Sequence, residues 1–173
     1  MLRLGRVEDK DRVKEMFDWA REKFRVQGTF QWGDDYPTER EFLKDLEKDI
    51  VYVWVDDVTN EVTGVVTIMY TVDVNYNKIE GAWLNDRPYA SIHRICVAKG
   101  YENQGIGQKL YEKCEERIRQ DNIVKDIKVD TYYLNKSMTR LIEKNGFVKC
   151  GKIYLLRDNV FDRERIAYQK VLD

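Results

Sequence analysis

Apolar positions recur along the chain at two spacings, and the alternation between them predicts the elements. Leu2 to Val7 reads as a first strand, and Val13, Met16, Phe17, Ala20 and Phe24 then follow at helical spacing. A loop rich in aromatic and acidic residues runs from Gln27 to Pro37. Thr38 with Glu41 three residues on forms a capping box, which opens a second helix whose apolar side is Phe42, Leu43 and Leu46. Val51 to Val55 and Val62 to Tyr70 are β-branched and aromatic and read as a hairpin around Asp56 to Asn60. Thr71 to Pro88 is a long polar segment carrying Tyr76 and Trp83, either a surface loop or a wall of a site. Beyond it come a strand from Tyr89 to Val97, a helix with Ile106, Leu110, Cys114 and Ile118 on its buried stripe, and a strand from Asp126 to Tyr132. A short helix from Lys136 to Lys144 stops at Asn145-Gly146, a left-handed cap, and strands Phe147 to Leu156 and Phe161 to Val171 flank Arg157-Asp158-Asn159. The predicted order is β-α-α-β-β-β-α-β-α-β-β, a mixed α/β fold over one domain, residues 1–173.

One junction in this pattern carries chemistry. The strand ending at Val97 passes through a polar loop into Gln104-Gly105-Ile106-Gly107-Gln108, where the next helix begins. Glycine permits a tight turn there, and the unpaired N–H groups of a helix start favour an anion such as a phosphate. Two nucleotide motifs are excluded by residue. A P-loop needs a hydroxyl after Gly-Lys, and the chain reads Gly107-Gln108-Lys109. A dinucleotide fingerprint needs a third glycine where Leu110 stands.

Glu102-Asn103-Gln104-Gly105-Ile106-Gly107 after Val97 resembles motif A of the GNAT superfamily of acyl-CoA-dependent N-acetyltransferases. Asn135 to Phe147, ending Asn145-Gly146-Phe147, resembles the family's second block in the matching order, and the resemblance is tight over about residues 89–156. It implies a mostly antiparallel central sheet with one splayed parallel pair, flanked by about four helices. It also implies acetyl-CoA as cosubstrate, without a metal. The cofactor would lie against Asn103, Gln104, Gly105, Ile106, Gly107 and Gln108. The pantetheine arm would pair with backbone at Ile95, Cys96 and Val97, and Asn135 would contact that arm, cap the following helix, or do both. A backbone N–H near Ile95 to Val97 would hold the oxyanion.

Amine acetylation needs a group that takes a proton from an ammonium of pKa about 10, and His93, the one histidine, is the candidate base. A histidine satisfied within a half-buried strand is the alternative reading. Strand alternation groups His93 with Ser91, Ile95 and Val97 and sets Cys96 on the opposite face, which argues against a cysteine-borne acyl intermediate. Two positions depart from the family. Ile142 stands where a tyrosine usually serves the departing thiolate, so Tyr132 or Tyr133 is the substitute acid; Glu102 replaces Gln or Arg and brings a carboxylate toward the pyrophosphate. Trp32, Asp35, Tyr36 and Trp83 are candidate walls of the acceptor site, for an amine on a small molecule or a peptide. The two departures also motivate a rival reading, a non-catalytic acyl-CoA sensor or interaction module.

Composition narrows the partners. Thirty Lys plus Arg against 31 Asp plus Glu supply no basic field for nucleic acid. No stretch reaches the roughly 18 apolar residues of a membrane span, and the N-terminus lacks a signal-peptide core. Three scattered cysteines without a C-x-x-C pair fit a reducing, cytoplasmic setting. A homodimer is left open.

Overall fold

The structure is a computed structural model and describes residues 1–29, 31–158 and 160–172. Asn159 of the expected final turn and Phe30 of the expected aromatic loop lie outside the described residues. The elements are β1 (Leu2–Leu4), α1 (Lys10–Val26), α2 (Glu39–Leu46), β2 (Val51–Val55), β3 (Val62–Met69), β4 (Glu80–Gly81), β5 (Ala90–Val97), α3 (Ile106–Asp121), β6 (Asp126–Thr131), α4 (Lys136–Lys144), β7 (Val148–Tyr154) and β8 (Glu164–Val171), with short 3-10 turns at Val7–Asp9 and Val74–Tyr76. They match the expected order, with β4 added.

All eight strands form one sheet in the order β1-β2-β3-β5-β6-β8-β7-β4. Every pairing is antiparallel except β5 with β6. Helices α3 and α4 cover one face, burying Leu110, Cys114, Ile118 and Ile142 against Val66, Ile68, Ile127 and Tyr168. The opposite face carries α1, whose Val13, Met16, Phe17 and Ala20 pack with Phe42 of α2 on Val51, Val53, Val65 and Cys96. These are the apolar stripes the periodicity predicts, and at about 25 cal/mol per Å² their burial supplies most of the stabilisation.

The terminal signals act as expected at α2 and α4. Glu41 accepts the Thr38 N–H at 2.8 Å, while Thr38 Oγ1 accepts from Arg40 N. Gly146, at φ 81°, ends α4 and donates to the Glu143 carbonyl. The first strand is shorter than expected, because the Asp9 carboxylate takes both the Arg6 N–H and the Arg3 guanidinium and turns the chain at Val7–Asp9. In the 71–88 segment, β4 is held to β7 by glycine facing glycine. A Cβ on Gly81 would sit 2.2 Å from the Cys150 carbonyl oxygen, and one on Gly151 would sit 2.1 Å from that of Glu80. No periodic pattern announces a two-residue strand that depends on this close approach.

Candidate functional site

Gly105 caps α3 at φ 78°, with no side chain bonded to the helix start, and Asn103 precedes it at φ 62°. The N–H groups at the first turn therefore face outward, as an anion site requires. A side chain on Gly107 would press Leu141 of α4 at 3.1 Å, so that glycine seats one helix on the other. Gln108 exchanges amide hydrogen bonds with Asn145, which pins the start of α3 to the end of α4 and leaves its backbone as its free contribution to the cradle. Glu102 turns toward α1: its carboxylate accepts from Trp19 Nε1 at 3.0 Å and from Gly100 N at 2.6 Å. Burial works to raise the Glu102 carboxyl, and these N–H donors outweigh it and hold it below the ordinary range.

Strand β5 joins β6 only at Ala90–Ile127 and Ser91–Lys128; beyond that the pair splays. Its other edge carries a bulge. His93 lies opposite Thr67 and Cys96 opposite Val65, so Arg94 and Ile95 together face Val66 alone. Arg94 takes φ 51°, a left-handed conformation unusual outside glycine. Its guanidinium is clamped by both oxygens of Asp45, at 2.9 Å each, and donates to Tyr36 Oη at 2.9 Å.

The bulge overturns the face assignment that simple alternation gives. Ile95 and Val97 pack on the α3–α4 side with Ile92, while His93 and Cys96 share the α1 side. Cys96 thus sits on His93's face after all. It is nevertheless sealed: its thiol points at the Met16 carbonyl, and burial pushes its pKa up to about 12.

Two cavities flank this bulge. One, of about 240 Å³, runs from the cradle past Trp19 and Lys23 of α1, along Cys96 and Val97, to Asn135 and Leu141. The other, of about 380 Å³, lies beyond the splay and includes Asp73, His93, Tyr111, Asp130, Arg157 and Arg165. Trp32, Ile95 and Met138 line both, so the two spaces meet at the residue just after the bulge. His93 Nε2 stands 3.2 Å from Asp73 Oδ2, within ion-pair range but not aligned as a hydrogen bond. Burial works to raise the Asp73 carboxyl; the neighbouring His93 and the bonds from Asn75 override it and hold it low, as a carboxylate.

The family model for the acetyltransferase (GNAT) family matches residues 13–147, well over half of the chain. The chain belongs to the GNAT acetyltransferase family. Among solved structures, a GNAT acetyltransferase from Streptococcus agalactiae 2603 is 25% identical with a TM-score of 0.86, over 100% of this chain and 95% of that one. An acetyltransferase-class protein from Staphylococcus aureus Mu50 is also 25% identical, with a TM-score of 0.72, over 100% of this chain and 99% of that one. The yncA protein from Salmonella typhimurium, solved with acetyl-CoA, shares the fold at 17% identity and a TM-score of 0.70, over 100% of this chain and 94% of that one. No curated protein matches the chain. As a GNAT member the protein is an acetyl-CoA-dependent acetyltransferase, and the uncapped, glycine-formed helix start fits the cofactor's phosphates.

Within this GNAT site the structure brings together some expected residues and separates others. Asn135 lines the narrower cavity and also caps α4, accepting the Met138 N–H, while its amide donates to Gln31. Trp32 and Tyr36 line the larger cavity. Trp83 does not: it packs on Tyr76 under the Lys128 ammonium and donates to the Tyr76 carbonyl, a structural plug. Asp35 is exposed and outside both linings. Tyr132 and Tyr133 also lie outside them; Tyr132 is buried and donates to Asp162. Ile142 is in the core with none of its side chain exposed.

Residues the sequence reading missed come from the splay and from the far strands. The 71–88 segment folds as a wall and delivers Asp73, because the Tyr76 hydroxyl donates to Asp130 and Leu84 N donates to Gln169. Tyr111 of α3 reaches the larger cavity, its hydroxyl meeting among the described residues only the weak acceptor Met138 Sδ at 3.7 Å. Arg165 was detectable in principle, since it shares the inward parity of Ala167 and Gln169 on β8, where a charge is out of pattern.

Proposed function

We propose that this protein transfers the acetyl group of acetyl-CoA to a primary amine of a small molecule or peptide by direct attack, with His93 as base. The observation that carries this reading is the meeting of the two cavities at Ile95, which sets the cradle on one side and the Asp73–His93 pair on the other. Acetyl-CoA, when bound, supplies an activated thioester. Backbone groups of Gln104 to Gln108 hold its phosphates, and the free edge of β5 at Ile95 to Val97 receives the pantetheine and the oxyanion. Asp73, 3.2 Å from His93 Nε2, sets a carboxylate beside the imidazole that takes the amine's proton. The Tyr111 hydroxyl, kept neutral because burial raises its pKa well above the ordinary tyrosine value, donates a hydrogen bond to the departing thiolate, which takes its proton from water.

A panel of amines with acetyl-CoA, read by release of free thiol, tests this. His93→Gln should lower kcat/KM by about 10²- to 10⁴-fold while acetyl-CoA binding holds. Unchanged turnover in that variant would remove His93 as the base. The sensor reading draws on Ile142 being sealed in the core, and turnover of no amine alongside intact acetyl-CoA binding would favour it.

A further inference from the structure

The larger cavity is lined by charges of both signs. Asp73 stands beside His93, and Asp130 accepts from the Tyr76 hydroxyl at 2.7 Å. Three arginines complete the charged lining. Arg94 is spent on Asp45 and Tyr36. The other two have no carboxylate within ion-pair range among the described residues. Arg165 is 2% exposed, yet its guanidinium bonds only to the carbonyls of Asp162, Glu164 and Gln31, at 2.8, 2.8 and 3.0 Å. That leaves its Nε–H and one terminal N–H without a partner among the described residues. Arg157 lies flat over the Tyr36 ring at 3.7 Å and has no carboxylate in ion-pair range among the described residues; its neighbour Asp158 faces Arg163 instead.

Burial and the nearby Arg157 both work against the Arg165 guanidinium, and Asp130 and Asp162, neither in ion-pair range, offset them only in part, so that its pKa is held below the ordinary arginine value. An anion between them resolves both, and a planar carboxylate suits the fork of a guanidinium. Asp73, next to the base, suits an ammonium. The cavity volume, about 380 Å³, is at the small end for ligand sites, too little to admit a folded peptide chain with its neighbours.

Building on the acetyl-transfer reading, we propose that the acceptor is a free amino acid, its carboxylate held by Arg157 and Arg165 and its amine directed to His93 and Asp73. A peptide N-terminus lacks a free carboxylate next to its amine and is disfavoured. So is a simple alkylamine.

The test is calorimetry on the CoA-loaded protein with the twenty L-amino acids, each beside its carboxamide, paired with a thiol-release assay on the same compounds. At least one acid should bind about 10- to 100-fold tighter than its amide. Arg157→Gln should erase that preference; this side chain is partly exposed and makes no hydrogen bond among the described residues, so the fold is not at stake. Arg165→Lys, which keeps the charge but loses the fork, should weaken the acid and leave the amide as it was. Amides that match or exceed their acids, no binding by any pair, or a preference that survives Arg157→Gln would each overturn the carboxylate site. Acids that bind but do not turn over leave that site standing and defeat the acetyl-transfer reading; amides that turn over while acids do not defeat the site alone.

Discussion

The cradle at the start of α3 and the cavity beyond the splay touch at Ile95, yet they are made of different parts of the chain and of different chemistry. The cradle is one contiguous run, 103–108, and its working groups are backbone N–H groups freed by a glycine at φ 78°. The larger cavity draws on the loop before α2, the wall at 72–75, the bulge of β5, the end of β6, Arg157 and Arg165, and its working groups are side chains. A backbone site needs little beyond a local sequence to define it. A side-chain site exists only when topology delivers each member, which makes it sensitive to the element that aligns them all, the bulge at Arg94.

The largest effect should come from breaking that alignment. Arg94→Ala leaves Asp45, 6% exposed, with Thr67 as its remaining partner, the Oγ1 hydroxyl at 2.8 Å. Removing one partner of a buried ion pair costs about 3–5 kcal/mol, so urea unfolding should show a loss of that size. A loss below about 1 kcal/mol would mean that the pair does not hold the bulge. The same variant frees Tyr36 and the strand kink, so acceptor turnover should fall even at temperatures where the protein remains folded.

The cradle's counterpart is Gly105→Glu. No atom crowds the site of the new Cβ, so the effect comes from the backbone and the charge. A left-handed residue other than glycine costs about 1–2 kcal/mol, and a carboxylate near bound phosphates adds about 1 kcal/mol even in water. The strain is borne by free and bound protein alike and so appears as lost stability, whereas the charge term corresponds to about fivefold weaker acetyl-CoA binding by calorimetry. Stability should change less than in Arg94→Ala, because no buried charge is exposed. Equal stability losses in the two variants would erase the distinction between a backbone site and a side-chain site.

That distinction also explains what the sequence could say. Gly105, Gly107 and the helix stripe of Ile106, Leu110, Cys114 and Ile118 are local signals, and the element order followed from them and from the strand runs. Alternation along β5 failed at Arg94 because a bulge shifts parity without changing composition. Thus Cys96 was placed on the wrong face, and Ile95 and Val97 were grouped with His93. Asp73 sits in a segment with no periodicity, and its position depends on Tyr76 reaching Asp130 across 54 residues. Aromatic residues at 83, 132 and 133 were overvalued for the opposite reason: they look like site residues in sequence, and three-dimensional packing claims them for the core or the periphery.

Tyr111 lies on the larger cavity's side of the junction, and its effect should be the smallest. It lines that cavity from α3, packs edge-on against Phe147, and in the proposed reaction would stand in for the donor that Ile142 lacks. A thiolate of pKa about 8.5 leaves tolerably without an acid, so Tyr111→Phe should lower kcat by about tenfold, the loss of one hydrogen bond to a charged group. Acetyl-CoA binding and stability should move little, since the ring stays. If the hydroxyl acts as donor, an acetyl thioester of a more acidic thiol should need it less, and the gap between wild type and Tyr111→Phe should narrow toward one. A gap that is the same for both thioesters would make Tyr111 a packing residue, and the thiolate would then leave without its hydrogen bond.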